Sequence, residues 1–333
     1  MALTLPQPRP TASFSDRLLE SWGLVRTGRI RRAASELASA SRRDLTGIER
    51  VEHAALLLTC RLAVGDVTAA SAAAANLEPR LGGTGSAAVL AHLGHGELAT
   101  ALGDHEGAFG HYRRVGQLPD GEDPALMPWR AGAALALVRL GKRAAAASLA
   151  QELLDRAERT TEPWPIAIAL RTAATVDATA DALRHLDRAR ALARSATDLR
   201  LAAQIDTDLA GLLLLAPSAD RTQAVGLLRA AEEYAAGEAL WPLHTRVTRL
   251  LDRAGERPRP LQGEAIALLT QAEQRVARLA AGGLTNRQIA EQLTVTIKGV
   301  EWHLSRVYRK LGIGSRDDLL PLIDVPTQES VTA

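Results

Sequence analysis

Lys298, Glu301, Trp302 and Ser305 recur at i, i+3, i+4 and i+7. That spacing puts four side chains on one face of a helix. An ammonium, a carboxylate, an indole and a hydroxyl together can donate to, accept from and pack against base edges, and the major groove of a duplex admits one helix. Arg306, Arg309 and Lys310 flank that face and can neutralise phosphates. Upstream, Thr285 and Asn286 open a shorter helix whose free backbone amides favour an anion. Glu301 cannot meet phosphate favourably, but it can accept from a cytosine amino group. Trp302 has two readings: contact with a thymine methyl, or packing over the sugar-phosphate backbone.

The elements that must position these groups are written in helix-start signals. Thr270 with Glu273 forms a capping box before Val276, Ala277 and Leu279, and Thr285 with Gln288 forms a second before Ile289, Ala290 and Leu293. Thr296 caps a third helix running to Leu311, on which Val300, Leu304, Val307 and Leu311 face a core. Ser315 with Asp318 starts a fourth, which carries Leu319, Leu320, Leu322 and Ile323. Gly282-Gly283 and Gly312 to Gly314 end the helices before them. Four short helices in about 55 residues, with a three-residue turn between the second and third, predict a helix-turn-helix domain over 264–325.

This stretch resembles the LuxR-type helix-turn-helix domain of bacterial transcription regulators. The residues that carry the resemblance are Leu269-Thr270, Glu273, Val276, Leu279 and Gly282, then Asn286, Ile289-Ala290 and Leu293. They continue with Lys298, Val300, His303-Leu304, Tyr308 to Ile313 and Ser315-Arg316. The resemblance implies that the third helix reads double-stranded DNA and that the fourth makes a homodimer through Leu319, Leu320, Leu322 and Ile323. Gly299 stands where the family often has threonine and Glu301 where it often has lysine, so the family's usual base preferences do not transfer. Two other readings stay open: the related fourth region of a σ factor, and a domain kept only for dimerisation.

The rest of the chain is organised by a repeat. Gly28, Gly65, Gly103 and Gly141 are spaced 37, 38 and 38 residues apart, and five residues after each lies an alanine: Ala33, Ala70, Ala108 and Ala146. Each glycine reads as the left-handed break between two helices, and each alanine as the point where helices cross closely. Helix pairs are expected at 16–40, 48–78, 86–117, 125–158, 164–195 and 198–236, with a last helix at 240–254. Pro79 and Pro119 fall where second helices should stop. The arrangement resembles tetratricopeptide repeats, with a period longer than that family's roughly 34 residues. The expected fold class is therefore all-α: stacked helical hairpins forming a tetratricopeptide-like solenoid at 14–254, then a linker at 255–263 rich in Gly and Pro, then the four-helix domain. Residues 1–13 and 326–333 are expected to be flexible. The order of parts resembles the C-terminal portion of the large ATP-binding LuxR regulators without their nucleotide-binding module.

Composition supports this and excludes other classes. Alanine supplies roughly a fifth of the 333 residues and aromatics 3%, which argues against a large sheet. The single cysteine, Cys60, rules out an internal disulfide and reads as a buried small hydrophobe. No phosphate-binding loop with its lysine occurs, and the strand–helix alternation of a receiver or acyl-lactone-binding domain is absent. No long apolar run or secretory leader appears, so no membrane partner and a cytoplasmic location are expected. The formal net charge is only +2, and residues 264–323 carry eight Lys/Arg against six Asp/Glu. Positive charge for DNA is thus local and modest, which makes a dimer necessary for useful affinity.

No catalytic set, cofactor or metal is assigned. His92, His95 and His111 could meet across the turn at Gly103, where ordinary solvated or capping roles are favoured over metal binding. Trp22, Trp129, Trp164 and Trp241 are read as packing between repeats, with a binding groove as the alternative. The expected function is transcription regulation by sequence-specific DNA binding, with the repeats sensing a ligand or mediating dimerisation. A peptide, protein or small ligand at the repeats and a contact with RNA polymerase stay open as partners. The rival reading is an interaction scaffold with incidental DNA contact.

Overall fold

A computed structural model describes residues 14–39, 45–121, 129–177, 181–215, 221–256, 269–311, 313, 315–316 and 319. Among these every regular element is a helix. Six hairpins follow one another: α1 (Phe14–Arg26) with α2 (Ile30–Ser39), α3 (Gly47–Ala63) with α4 (Val67–Ala75), and α5 (Ser86–Leu102) with α6 (His105–Val115). Next come α7 (Trp129–Arg139) with α8 (Arg143–Thr160), α9 (Pro163–Val176) with α10 (Asp181–Ser195), α11 (Leu199–Leu213) with α12 (Arg221–Gly237), and then α13 (Trp241–Arg253). The pairing and the order match the periodic reading of the sequence.

The turns explain why the pattern was legible. Gly28, Gly65, Gly103 and Gly141 all adopt left-handed φ, between 74° and 81°. In two of these turns the next residue caps the following helix with its side chain. Asp66 and Asp104 accept from the amides of Ala69 and Gly107 at 3.1 and 2.9 Å. Ala33, Ala70, Ala108 and Ala146 are all fully buried, so neighbouring helices approach to within a methyl group. Between later hairpins the left-handed residue is Thr161, Thr197 or Ala239, none of which announces a turn by its type. Pro79 and Pro119 lie in single 3₁₀ turns just after α4 and α6.

The array curls until its first hairpin touches its sixth. Tyr234 donates its hydroxyl to the carbonyl of Gly28 at 2.6 Å, and the Leu199 amide donates to the Thr27 carbonyl at 3.4 Å. Arg31 donates from its backbone amide to Glu238 at 2.9 Å and from its guanidinium to the Gly237 carbonyl at 2.8 Å. Leu18, Ile30, Leu56 and Cys60 share one buried cluster with Ala235 and Leu240. Cys60 is thus a packing residue, and burial pushes its thiol up to about 11.

The C-terminal unit contains α14 (Gln271–Ala281), α15 (Asn286–Leu293) and α16 (Ile297–Leu311). Its core holds Val276, Ile289, Val300, Leu304, Val307, Leu311 and Leu319, and the same buried cluster includes Ala239 and Trp241 at the entrance to α13. The expected fourth helix, the linker and both terminal segments fall wholly or mostly outside the described residues.

Closure sets different costs for the repeat glycines. A Cβ on Gly28 would lie 2.5 Å from the Tyr234 hydroxyl and 2.6 Å from the Arg200 nitrogen, whereas a Cβ on Gly141 meets nothing within 4 Å. Both have left-handed φ. Gly141→Ala should therefore cost about 1 kcal/mol from backbone strain alone, and Gly28→Ala about 3 kcal/mol or more because the first and sixth hairpins must also part. Urea denaturation of the two variants checks this, and equal losses would contradict the closure.

Candidate nucleic-acid interface

The three described helices of the C-terminal unit are begun by side chains. Thr270 caps α14: the Glu273 amide donates to its hydroxyl at 3.3 Å, and the Thr270 amide donates to the Glu273 carboxylate at 2.8 Å. Thr285 and Gln288 repeat the device on α15, at 3.3 and 2.8 Å. The Gly299 amide donates to Thr296 Oγ1 at 3.1 Å on α16. The link between α15 and α16 is three residues, Thr294 to Thr296. Thr294 closes α15 with left-handed φ of 56°, which turns the chain sharply and sets α16 across α15.

The outward face of α16 carries the predicted set. Lys298, Glu301, Trp302, Ser305 and Arg309 are all exposed, while Val300, Leu304, Val307 and Leu311 are buried on the opposite face. Trp302 is 55% exposed, which is unusual for the largest apolar side chain in a folded unit. The Arg306 guanidinium lies over its ring at 4.6 Å, and His303 meets it edge-on at 4.9 Å. The indole is thus held on the surface by a cation–π contact with Arg306.

Two of the predicted cations are already engaged. Glu273 is buried and receives Arg306 Nε at 3.1 Å and Lys310 Nζ at 2.5 Å, besides the Thr270 amide. Burial alone would push its carboxyl up. Hydrogen bonds from Lys310 and the Thr270 amide, with the Lys310 charge, bring it down to about 2. In the sequence, Glu273 reads only as a cap for α14. Its contacts to α16, 33 and 37 residues away, leave no local signal. Lys298 and Arg309 are therefore the cations of α16 held most openly to solvent.

Asn286 accepts a hydrogen bond from Arg316 at 3.0 Å, and Arg316 also donates to the Ala280 carbonyl at 3.3 Å. Arg316 thus ties the end of α14 to the start of α15 and steadies the amides that begin α15. Leu319 is fully buried in the domain's own core. The other three side chains expected at a dimer contact, Leu320, Leu322 and Ile323, lie outside the described residues.

A helix-turn-helix unit with a capped recognition helix and an exposed polar face is the DNA-binding module of transcription regulators, and here it is a LuxR-type domain. Residues 267–322 match the bacterial regulatory proteins, luxR family. A protein of Mycobacterium bovis named as an HTH-type transcriptional regulator is 46% identical over 66 residues, as are two of the same name from strains of Mycobacterium tuberculosis. Each match covers 20% of this chain and 7% of the relative, so the chain spans under a tenth of these relatives' length. Among solved structures, a Rap protein complexed with Competence and Sporulation Factor is 13% identical with a TM-score of 0.46, covering 90% of this chain and 76% of that one. The apo form of RapI is 10% identical with a TM-score of 0.30, covering 89% and 96%. Likenesses of this degree carry no functional information.

Elsewhere, the three histidines do meet at the α5–α6 hairpin. His92 donates from Nε2 to the Leu81 carbonyl at 3.1 Å, so its Nδ1 accepts from His111 Nδ1 at 3.0 Å, and His95 stacks on His111 at 5.3 Å. Burial holds both His92 and His111 below the ordinary imidazole value. No group of three or more His, Cys, Asp or Glu arranged to hold a metal occurs among the described residues. Trp129 and Trp241 are buried between helices, and Trp164 donates to Asp198 at 3.0 Å beneath the Arg26 guanidinium at 4.0 Å.

The Glu273 contacts make the DNA-binding unit acid-sensitive. Its folded pKa lies below the unfolded value of about 4.3, so its stabilisation is fully present above about pH 5 and is lost as pH falls toward 2. Glu273→Gln should cost on the order of 2 kcal/mol at neutral pH and flatten the pH dependence between 5 and 2. Thermal melts followed at several pH values test this, and an unchanged pH profile in the variant would remove Glu273 from that role.

Proposed function

We propose that the chain is a sequence-specific transcription regulator that binds double-stranded DNA as a homodimer, with its repeat array sensing a ligand or partner. The observation that carries the reading is the outward face of α16 on a family-matched domain: Lys298, Glu301, Trp302 and Ser305 point away from the core in one row. In this reading α16 enters the major groove, where Lys298 and Ser305 donate to base edges and Glu301 accepts from cytosine. Arg309 meets phosphate, and the α15 amides beside Thr285 and Asn286 hold another. Arg306 and Lys310 act mainly by holding the helix to Glu273, with their remaining donors turned to the backbone.

The local charge is modest, so two copies on a two-fold site supply the affinity that one cannot. Ala239 and Trp241 share a buried cluster with the helix-turn-helix core, which supports a route from the array to the DNA-binding unit. No helix among the described residues is long and apolar enough to cross a membrane, and a DNA-binding role supports a cytoplasmic location. The named transcription regulators among its relatives support a regulatory rather than an enzymatic role.

Fluorescence anisotropy with a DNA fragment selected from genomic DNA, against random duplex, tests the reading across salt concentrations. Arg309→Ala should weaken binding on all sequences and reduce the salt slope by about 1. Lys298→Ala and Glu301→Ala should instead change the preferred base, by about 1–3 kcal/mol at one position. Lys310→Ala should act chiefly through the stability of the domain. Equal affinity for selected and random duplex at moderate salt would refute specific regulation, and full function in a chain lacking residues 264–333 would favour the scaffold.

A further inference from the structure

The repeat array contains a cavity of about 450 Å³ where α9, α11 and α13 come together. That is within the size range of small-molecule sites. Leu212, Leu215 and Leu250 give it an apolar wall, and Leu215 is 78% exposed. Gly211 faces α13 and leaves the space open: a Cβ there would meet only Leu250, at 3.8 Å.

Charge in the cavity is one-sided. Arg246, Arg249 and Arg253 lie along one face of α13 at i, i+3 and i+7. The single carboxylate in the lining is Asp208, which is already doubly paired. Arg171 Nε reaches it at 2.7 Å and Arg246 at 2.6 Å. Arg249 and Arg253 have no hydrogen-bond or ion-pair partner among the described residues. Two unpaired guanidinium groups beside an apolar wall complement one kind of molecule. Its acidic head would take the charge-assisted hydrogen bonds that Arg249 and Arg253 offer. Its apolar body would cover the leucines that water now meets.

We infer that this cavity is a binding site for a small organic anion with an apolar body, the carboxylate head held by Arg249 and Arg253 and the body laid along Leu212, Leu215 and Leu250. The inference deepens the reading of the array as the sensing part and rests on it for its regulatory consequence. The binding itself does not depend on DNA, so the two can fail separately. The position suits a sensor, because α13 carries the arginines along its length and Trp241 at its start, and Trp241 shares the cluster of the DNA-binding core.

The test uses the full chain without DNA. Anilinonaphthalene sulfonate serves as a fluorescent anionic probe, and octanoate, octanol and acetate compete for it. Octanoate should displace the probe where octanol and acetate, at equal concentration, do not. Arg249→Glu combined with Arg253→Glu changes two exposed side chains, so the fold should be retained by circular dichroism, and octanoate binding should weaken by at least about tenfold. Gly211→Leu fills the cavity without altering charge and should abolish octanoate displacement. Failure of octanoate to bind, equal competition by octanol, or unchanged binding in either variant would each overturn the site.

Discussion

A helical hairpin of this chain has one apolar face and no means of burying it alone. That constraint governs the whole molecule. Each hairpin must lie on a neighbour, the crossing must be close enough to exclude water, and the stack must end somewhere without leaving an apolar face in solvent. The chain meets the second demand with alanine at the crossings, fully buried at Ala33, Ala70, Ala108, Ala146, Ala189 and Ala231 within a residual exposure of 1%. It meets the third by curling the array until the first hairpin covers part of the sixth. Gly28 is where the two ends come closest, and no side chain fits between its backbone, Tyr234 and Arg200.

The same constraint shapes how the array and the DNA-binding unit are joined. Among the described residues of the array, α13 comes last and pairs with no following helix. Its first residue, Trp241, is buried in the cluster of the C-terminal core, while its later turns carry arginines to the cavity. One helix thus borders both the part that carries charge for a small anion and the part that carries the recognition helix. Rigid elements that touch two sites are the physical means by which one site can bias the other.

Within the DNA-binding unit, Glu273 plays the part that Gly28 plays in the array. It caps α14 locally and then takes Arg306 and Lys310 from α16, so the start of one helix and the angle of another depend on the same carboxylate. Engaging those two cations leaves Arg309 as the flanking cation held most openly toward phosphate, and leaves the base-facing row unchanged. The low net charge of this region is therefore partly spent on holding the unit together.

The sequence by itself determined what depends on neighbours a few residues away. Turn glycines, the Asp66 and Asp104 caps, the three threonine caps and the two faces of α16 all follow from local backbone and side-chain chemistry, and the observed elements agree with them. The resemblance of residues 269–316 to one family was legible for the same reason, since its motif is contiguous. Turns made by Thr161, Thr197 and Ala239 were not legible, because those residues adopt left-handed φ only under tertiary constraint. Only the tertiary structure decided the contact of Gly28 with Tyr234, the sharing of Glu273 between two helices, the pairing of Asp208 with Arg171 and Arg246, and the placing of Arg249 and Arg253 beside exposed leucines. Each joins residues on separate helices, and helical periodicity reports which face is buried without saying which helix covers it.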